Sequence, residues 1–282
     1  MASEVQIEKG IEYARHDGVA LLGDLYTPAA PGTYPALVLV HGGAWQRGSR
    51  DFYQYWGPYL AEHGYVAFAI DYRLATPEQP TYPQNVYDVK AAVQFVRGRG
   101  AALKVDPSRI GLMGDSAGGH LSALCALSGD SPKYTSLYRD DPYYDVSRHV
   151  SVAVPVYGVL DLLQQWEHDQ LSRGSDCITE RYLGGPPMTI RDAYYEASPI
   201  NWATVHHNQA AFLVVWGTED DIVDPITQSV AFVTALKRAD FYVRTVPVLG
   251  APHFWVRDPF DDPLSYPAFL APRLLRFLAE RL

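Results

Sequence analysis

A serine flanked by glycines is the first feature of the sequence that could carry chemistry. The segment GDSAG at 114–118 directly follows the apolar run IGLM and precedes HLSALCAL, which is compatible with a helix. A nucleophilic serine in a sharp strand-to-helix turn needs such glycines, because side chains two residues to either side would collide with neighbouring backbone. The N–H groups at the start of the following helix also favour a developing negative charge. The pattern therefore predicts that Ser116 is a catalytic nucleophile.

A second glycine pair follows an apolar run earlier in the chain. The segment HGGAW at 41–45 comes directly after ALVLV. Acyl transfer needs backbone N–H donors aimed at the tetrahedral oxygen, and glycines let the backbone approach a substrate closely. His41 is interpreted as bracing this loop rather than transferring protons. The predicted oxyanion-hole donors are the N–H groups of Gly42, Gly43, Ala44 and Ala117. The sequence leaves open which two or three of these groups donate.

Position along the chain separates the nine histidines as candidates for the general base. His253 follows the last apolar run, VRTVPVL, and precedes the final helical stretch, so it is expected on a loop at the same sheet edge as Ser116. His120 lies only one helical turn beyond Ser116 and points along the helix. His206 and His207 precede a strand and belong to the opposite edge. We therefore predict that His253 is the base.

An acid that orients this histidine is expected on a neighbouring strand-end loop. The segment GTEDDIV at 217–223 follows the apolar run AFLVVW and offers Glu219, Asp220 and Asp221. Asp161, after the run VSVAVPV, is a more distant rival. The chain order of serine, acid and histidine suits the nucleophile-elbow motif, but these residues alone leave the choice of acid open.

These residues need a scaffold that brings several strand ends together. Short, almost wholly apolar runs at 36–40, 66–70, 110–113, 150–156, 211–216 and 243–249 suit strands covered on both faces. Helical stretches such as Val86–Arg97 lie between them, and this alternation predicts a mostly parallel sheet. Two loosely alternating segments around Asp17-Gly18 predict an antiparallel hairpin at the sheet edge. We predict one α/β domain over residues 1–282, with a mostly parallel central sheet, an N-terminal antiparallel hairpin and helices on both faces.

Two segments, 129–149 and 161–202, do not fit the alternation of strands and helices and are expected to be insertions that cover the pocket. Aromatic side chains are frequent in these segments and beside the catalytic loops. Aromatic walls suit an aryl or compact acyl ester better than a long lipid. The predicted pocket residues are Trp45, Asp115, Tyr144, Trp166, Phe254 and Trp255.

Composition restricts the partners that this chain could have. A net charge of −9 without a Lys/Arg cluster disfavours nucleic acid and anionic membranes. The N-terminus lacks a basic start and an apolar run, which predicts a cytoplasmic protein. Cys125 and Cys177 have no metal-ligand spacing and are expected to be free thiols. We therefore expect a small-molecule partner with no cofactor, metal, nucleic acid or membrane; the oligomeric state is not predicted, and a homodimer is one alternative.

Together with longer matching segments, these motifs carry a family resemblance. The chain resembles the α/β-hydrolase esterases related to hormone-sensitive lipase, and most of all the bacterial xylan-acetyl or feruloyl esterase-like group. The resemblance implies Ser116, Asp220 and His253 as a catalytic triad, with Gly42, Gly43 and Ala117 around the oxyanion. It rests on HGGAW at 41–45, DYRL at 71–74, GDSAGGHL at 114–121, YLGGPP at 182–187, EASPI at 196–200 and GTEDDIV at 217–223.

Departures from the larger family refine this expectation. Ala44 stands where hormone-sensitive-lipase relatives usually have a third glycine, and the hairpin begins without a long N-terminal cap, which favours the smaller esterase-like group. The activity implied is hydrolysis of small carboxylic esters by a metal-independent serine carboxylesterase. The loop HGGAWQ also looks like that of arylformamidases, so an amide-type hydrolase or an acyltransferase is an alternative. A non-catalytic binding protein on the same fold is another.

Overall fold

The structure is a computed structural model that describes residues 4–174 and 177–282. In these ranges the strands are β1 (Val5–His16), β2 (Val19–Pro28), β3 (Tyr34–Val40), β4 (Val66–Ile70), β5 (Val105–Asp115), β6 (Val152–Val156), β7 (Ala211–Gly217) and β8 (Val243–Val248). The α-helices are α1 (Trp56–Glu62), α2 (Gln84–Gly98), α3 (Ala117–Ser128), α4 (Leu162–Arg173), α5 (Ile178–Leu183), α6 (Arg191–Ala197), α7 (Ala231–Arg238) and α8 (Tyr266–Arg281). The predicted six apolar runs and the helix at 86–97 all correspond to elements of this list.

A single eight-stranded sheet organises the described part of the chain, in the order β1-β2-β4-β3-β5-β6-β7-β8. Strands β3 to β8 are parallel to one another, whereas β1 pairs antiparallel with β2 and β2 pairs antiparallel with β4. The Asp17-Gly18 turn closes the first pair, with His16 opposite Val19. The predicted mostly parallel sheet with an N-terminal hairpin at its edge is confirmed.

Helices cover both faces of the sheet, as predicted. Successive residues of β3 contribute to different hydrophobic clusters on the two faces of the sheet. Val38 belongs to the cluster that includes residues of α2, α3 and α7, and Leu39 belongs to the cluster that includes residues of α1 and α8. Strand β4 is buried along its whole length. Burial on both faces explains why these strands are continuous apolar runs rather than alternating ones.

Segment 129–149 is bonded to α2, and none of its residues lines the pocket that the sequence predicts it to cover. Gln94 of α2 donates through Nε2 to the carbonyl oxygens of Tyr143 and Tyr144 at 2.7 Å each. Arg97 donates to the carbonyl oxygen of His149 at 2.6 Å, and Lys90 donates to that of Gly129. Long polar side chains of α2 therefore fix this segment to the helix, an arrangement that no local pattern in the segment indicates.

Segment 161–202 does lie at the carboxyl edge of the sheet. It connects β6 to β7 and contains α4, α5 and α6, although residues 175–176 fall outside the described residues. Strands β3, β5, β7 and β8 end at this same edge, so the loops that follow them meet beneath these helices. Of the helices in the described ranges, none is long and apolar enough to cross a lipid bilayer.

Candidate active site

Ser116 lies in a strained turn between β5 and α3. Its backbone has φ 52° and ψ −118°, a conformation that a side-chain-bearing residue rarely adopts. The Ser116 N–H donates to the Val156 carbonyl of the neighbouring strand at 2.9 Å, which holds the turn in place. A Cβ atom on Gly118 would stand 1.9 Å from the Val40 carbonyl oxygen, and one on Gly114 would stand 2.2 Å from that of Gly118. The glycines of the motif are therefore required by close packing of the backbone.

Ser116, His253 and Asp220 are brought together from three separate loops. His253 Nε2 lies 3.0 Å from Ser116 Oγ, and His253 Nδ1 lies 2.7 Å from Asp220 Oδ2. The other carboxylate oxygen of Asp220 accepts the N–H groups of Ile222 at 3.0 Å and Val223 at 2.9 Å. The Nδ1–H bond to Asp220 leaves Nε2 free to accept the Ser116 proton, which is the tautomer that a general base needs.

The rival acids are engaged elsewhere or face solvent. Asp161 caps the N-terminus of α4, where its Oδ1 accepts the N–H groups of Leu163 at 3.0 Å and Gln164 at 3.1 Å. Asp221 and Glu219 are exposed, while Asp220 is 6% exposed. Burial and direct contact with the imidazole therefore distinguish Asp220 from its neighbours, a difference that the sequence alone does not show.

The loop after β3 supplies backbone donors, but Gly42 is not one of them. The Gly42 N–H donates to Asp115 Oδ1 at 2.9 Å, so the prediction that it contributes to the oxyanion hole needs correction. Gly43 and Ala44 line the pocket beside Ser116, and Ala44 has a positive φ of 56°. Ala117 is the first residue of α3, so its N–H has no acceptor within the helix. The candidate donors that remain are Gly43, Ala44 and Ala117.

Asp115 anchors the loop after β3, residues 41–48, which is called the oxyanion loop from here on. Its carboxylate is engaged by protein groups and is not free to bind a ligand. Besides the Gly42 N–H, its carboxylate accepts the Tyr53 hydroxyl at 3.0 Å. The side chain is almost fully buried, and burial raises the pKa of this carboxyl group above its usual value. A Cβ on Gly42 would stand 2.5 Å from Asp115 Oδ2, which explains the first glycine of the pair.

His41 braces the same loop, as the sequence interpretation expects. Its Nδ1–H donates to the Gly42 carbonyl at 2.7 Å, and its ring stacks on Tyr72 at 4.3 Å. The Tyr72 hydroxyl donates back to the His41 carbonyl at 2.8 Å. Burial lowers the pKa of His41 to about 4, so the ring is neutral at physiological pH.

Trp45 joins the oxyanion loop to the helices of segment 161–202. Its indole Nε1–H donates to His120 Nδ1 at 3.1 Å, and its ring stacks on Tyr182 of α5 at 4.2 Å. His120 Nε2–H in turn donates to the Ala197 carbonyl at the end of α6, at 2.8 Å. Burial lowers the pKa of His120 to about 4, which keeps Nδ1 available as an acceptor. The position of His120 in the sequence argues against a role as the base, but no sequence pattern indicates this connecting role.

A pocket of about 340 Å³ opens over Ser116. Its wall combines apolar side chains with five charged ones, and no sequence pattern indicates four of these, the three arginines and Asp169. In the part of the chain that the structure describes, no cluster of three or more His, Cys, Asp or Glu side chains could hold a metal ion. The lining residues are Gly43, Ala44, Trp45, Arg47, Phe52, Asp115, Ser116, Ala117, Val159, Gln165, Asp169, Arg173, Ile178, Ile222, Val223, His253, Phe254 and Arg257.

Only half of the predicted pocket residues reach this cavity. Trp45, Asp115 and Phe254 line it, whereas the predictions of Tyr144, Trp166 and Trp255 are wrong. The Tyr144 hydroxyl donates to the Thr135 carbonyl within segment 129–149, at 2.6 Å. The Trp166 indole donates to Glu180 at 2.7 Å. Trp255 is 2% exposed and packs on Tyr157 instead.

Comparison with known proteins agrees with this architecture. The family model described as BD-FAE matches residues 23–236. The probable carboxylic ester hydrolase LipM of Mycobacterium tuberculosis is 32% identical over 234 residues, which are 82% of this chain and 50% of LipM. The esterase LipC of the same organism is 34% identical over 214 residues, or 72% of this chain and 48% of LipC. The chain thus spans about half the length of these curated relatives.

Solved structures give the same result over nearly the whole chain. The structure of Thermogutta terrifontis esterase 2 phosphorylated by paraoxon matches with a TM-score of 0.75 and 28% identity, covering 99% of this chain and 94% of that one. The predicted α/β-hydrolase fold is thereby confirmed, as is the resemblance on which the sequence analysis relied. The extent of the family match and the identity to LipM show that the chain belongs to the BD-FAE family of α/β-hydrolases.

Proposed function

We propose that this chain is a serine carboxylesterase that hydrolyses small carboxylic esters through an acyl-enzyme intermediate. The observation that carries the proposal is the continuous hydrogen-bonded array from Ser116 Oγ through His253 to Asp220, at 3.0 and 2.7 Å. The names of the relatives, which are esterases, favour ester hydrolysis over the arylformamidase, acyltransferase and non-catalytic alternatives. A single catalytic domain and a cytoplasmic location stay predictions from the sequence.

In the first half-reaction, Ser116 Oγ attacks the ester carbonyl carbon while its proton passes to His253 Nε2. The carbonyl electron pair moves onto oxygen, and the N–H groups of Gly43, Ala44 and Ala117 stabilise that charge. Asp220 holds the imidazole in place and stabilises it once it is charged. The tetrahedral carbon then expels the alcohol oxygen, which takes the proton from His253 and leaves an ester on Ser116.

The second half-reaction uses the same groups with water. His253 removes a proton from water, whose oxygen attacks the acyl carbon and forms a second tetrahedral oxyanion. Collapse breaks the bond to Ser116 Oγ, which regains its proton from His253, and releases the carboxylic acid. No net proton or electron is required beyond those of water and the ester.

The pocket supports a compact substrate. A volume of about 340 Å³ is near the lower end of the range of about 300–1,000 Å³ that small-molecule sites occupy. Trp45, Phe52 and Phe254 contribute aromatic surface to its wall, which favours a short acyl chain or an aryl group.

Substitution of the proposed nucleophile and acid tests the assignment. Ser116→Ala should lower kcat for 4-nitrophenyl acetate by at least about 10³-fold and abolish labelling by paraoxon. Asp220→Asn should lower kcat by at least about 10²-fold, because the imidazole loses its orienting acceptor. Asp221→Asn is the matched control, since this carboxylate is exposed and outside the array, and it should retain wild-type activity. Wild-type turnover by Ser116→Ala, or a larger loss in Asp221→Asn than in Asp220→Asn, would contradict the proposal.

A further inference from the structure

The acidic side chains that line the pocket are buried, whereas its arginines are exposed or half-buried. Asp115 is 3% exposed and Asp169 is 0% exposed, and burial raises the pKa of both carboxyl groups. Arg47 and Arg257 are exposed, and Arg173 is half-buried. All five line the cavity over Ser116. Of the charged groups that line this cavity, the ones that a ligand can reach from solvent are therefore the arginines, in a chain whose net charge is −9.

Arg47 and Arg257 belong to the same wall, beside the oxyanion loop. The Arg257 guanidinium lies over the Phe52 ring at 4.1 Å from its centroid, which holds the cation in place. A Cβ on Gly48 would meet Phe52 at 3.0 Å, and one on Gly43 would meet the Arg47 Cγ at 3.1 Å. Arg47 therefore packs against this loop directly, and Arg257 lies against it through Phe52.

These two arginines lack a carboxylate partner of the kind that Arg173 has. Arg173 lies 3.4 Å from Asp169, which also accepts a hydrogen bond from Gln165 at 3.0 Å. Among residues 4–174 and 177–282, no carboxylate forms an ion pair with Arg47 or Arg257. A guanidinium presents parallel N–H donors that match a carboxylate, and two such groups beside one cavity are suited to an anionic ligand.

We propose that the preferred substrate is an ester that carries a separate carboxylate, which Arg47 and Arg257 bind while Ser116 attacks the ester carbonyl. This inference rests on the proposed esterase function and narrows its substrate class. The positive wall also raises the local concentration of an anionic ester, an effect that added salt screens. The carboxylate takes no part in bond making, and it positions the ester for the steps described above.

Two pairs of esters that differ only in charge test the proposal on both sides of the scissile bond. On the alcohol side, 4-acetoxybenzoate is compared with its neutral amide, 4-acetoxybenzamide. On the acyl side, monomethyl glutarate is compared with methyl glutaramate. The quantity measured is the ratio of kcat/KM for the anionic ester to that for the neutral one, because this ratio cancels general damage to the active site. The enzymes are the wild type, Arg257→Gln, Arg47→Gln and the double variant.

For at least one pair, the ratio should fall about threefold in each single variant and about tenfold in the double variant, as expected for partly exposed ion pairs. Arg257→Lys should keep part of the preference, and 0.5 M NaCl should reduce it in the wild type. Arg276→Gln is the matched control, because Arg276 is exposed on α8 and does not line the pocket; its ratio should equal that of the wild type.

The outcomes separate this inference from the proposed function. If the wild type cleaves the neutral esters and the ratio stays constant in the double variant for both pairs, the carboxylate preference is wrong and the esterase assignment stands. An equal fall for anionic and neutral esters would also overturn it, because the arginines would then act on the oxyanion and not on a substrate carboxylate. If the wild type cleaves no ester and paraoxon does not label Ser116, the proposed function itself fails.

Discussion

The two segments that interrupt the strand–helix alternation have opposite relations to the active site. Segment 161–202 reaches the pocket through α4 and α5, and it contacts the oxyanion loop through the stack of Tyr182 on Trp45. Segment 129–149 contributes no residue to that pocket and is bound to α2 and the N-terminal hairpin. Aromatic side chains occur in both segments, so their presence does not show which segment reaches the pocket. What separates them is the part of the fold that each contacts, which is α2 and the hairpin for segment 129–149 and the loop after β3 for segment 161–202.

This difference predicts that changes in the two regions have different consequences. Substitutions that remove contacts of segment 161–202 should lower both activity and stability, because these contacts involve the loop that supplies the oxyanion donors. Substitutions that remove contacts of segment 129–149 should lower stability alone. Three substitutions test that division, and each combines an unfolding measurement with a kinetic one.

The largest effect is expected for Trp45→Leu. This change removes a buried aromatic ring that is 1% exposed, its stack on Tyr182 and its hydrogen bond to His120. Such losses cost about 3–5 kcal/mol of the free energy of unfolding. Trp45 and Ala44 also have φ values of 59° and 56°, which the surrounding contacts must hold, so kcat should fall at least about tenfold.

Trp45→Phe provides the control for this prediction. It keeps an aromatic ring against Tyr182 but cannot donate to His120, so it should recover most of the stability and less of the catalytic rate. Urea unfolding and kcat for a neutral aryl ester give both readouts. A Trp45→Leu enzyme with reduced stability and wild-type kcat would show that segment 161–202 is not coupled to the oxyanion loop.

An intermediate effect, confined to stability, is expected for Arg73→Met. Arg73 donates to Asp88 through Nη2 at 2.6 Å and to the Tyr138 hydroxyl at 2.8 Å, and the Asp88 side chain is 0% exposed. Removing the guanidinium leaves a buried carboxylate with one cationic partner fewer, which costs about 3 kcal/mol. Arg109→Met removes an exposed pair with Asp106 and should cost less than about 1 kcal/mol. The kcat/KM of the folded Arg73→Met enzyme should stay within about twofold of wild type; a tenfold loss would break the division between the two regions.

The parts of the active site that sequence could predict depend on local pattern and on strand order. Ser116 is indicated by its two glycines and by the change from an apolar run to a helix. His253 is indicated by its place after the last strand, since parallel strands bring their carboxyl ends to one edge. Both signals are short-range or topological, and the structure places both residues where they predict.

The parts that sequence missed depend on contacts between distant side chains and backbone. Gly42 looks like an oxyanion donor until the Asp115 carboxylate is seen to accept its N–H. Gln94 and Arg97 look like ordinary polar residues of a helix, yet they bind the carbonyl groups of segment 129–149. Each of these bonds joins residues about fifty or more positions apart, so no pattern within either segment contains the information.

The smallest of the three effects is a pH dependence of stability that originates at His16. This buried ring lies between two carboxylates, with Nδ1 at 2.7 Å from Asp88 and Nε2 at 2.8 Å from Asp141. Burial by itself lowers the pKa of His16, but the hydrogen bonds to Asp141 and Asp88 outweigh it, and the net shift is upward. Arg73 is the opposing cation nearby, 3.5 Å from Nδ1, and Tyr138 stacks on the ring at 3.8 Å. The charged imidazolium is therefore the form that joins segment 129–149 to the hairpin and α2.

Because the folded-state pKa lies above the unfolded value, the stability that His16 contributes is fully present below the unfolded pKa of about 6.5 and is lost as the pH rises through the folded value. Urea unfolding of the wild type across this range should show a decline in the free energy of unfolding that is smaller in His16→Gln, which keeps a donor but cannot titrate. The kcat/KM of His16→Gln should follow the wild-type pH profile, since the ring is in the region without contact to the pocket.

A His16→Gln stability curve parallel to that of the wild type would mean that the ring is not charged in the folded protein. A changed kinetic profile would instead show that segment 129–149 communicates with the active site through α2 and the sheet, and the division between the two regions would have to be abandoned.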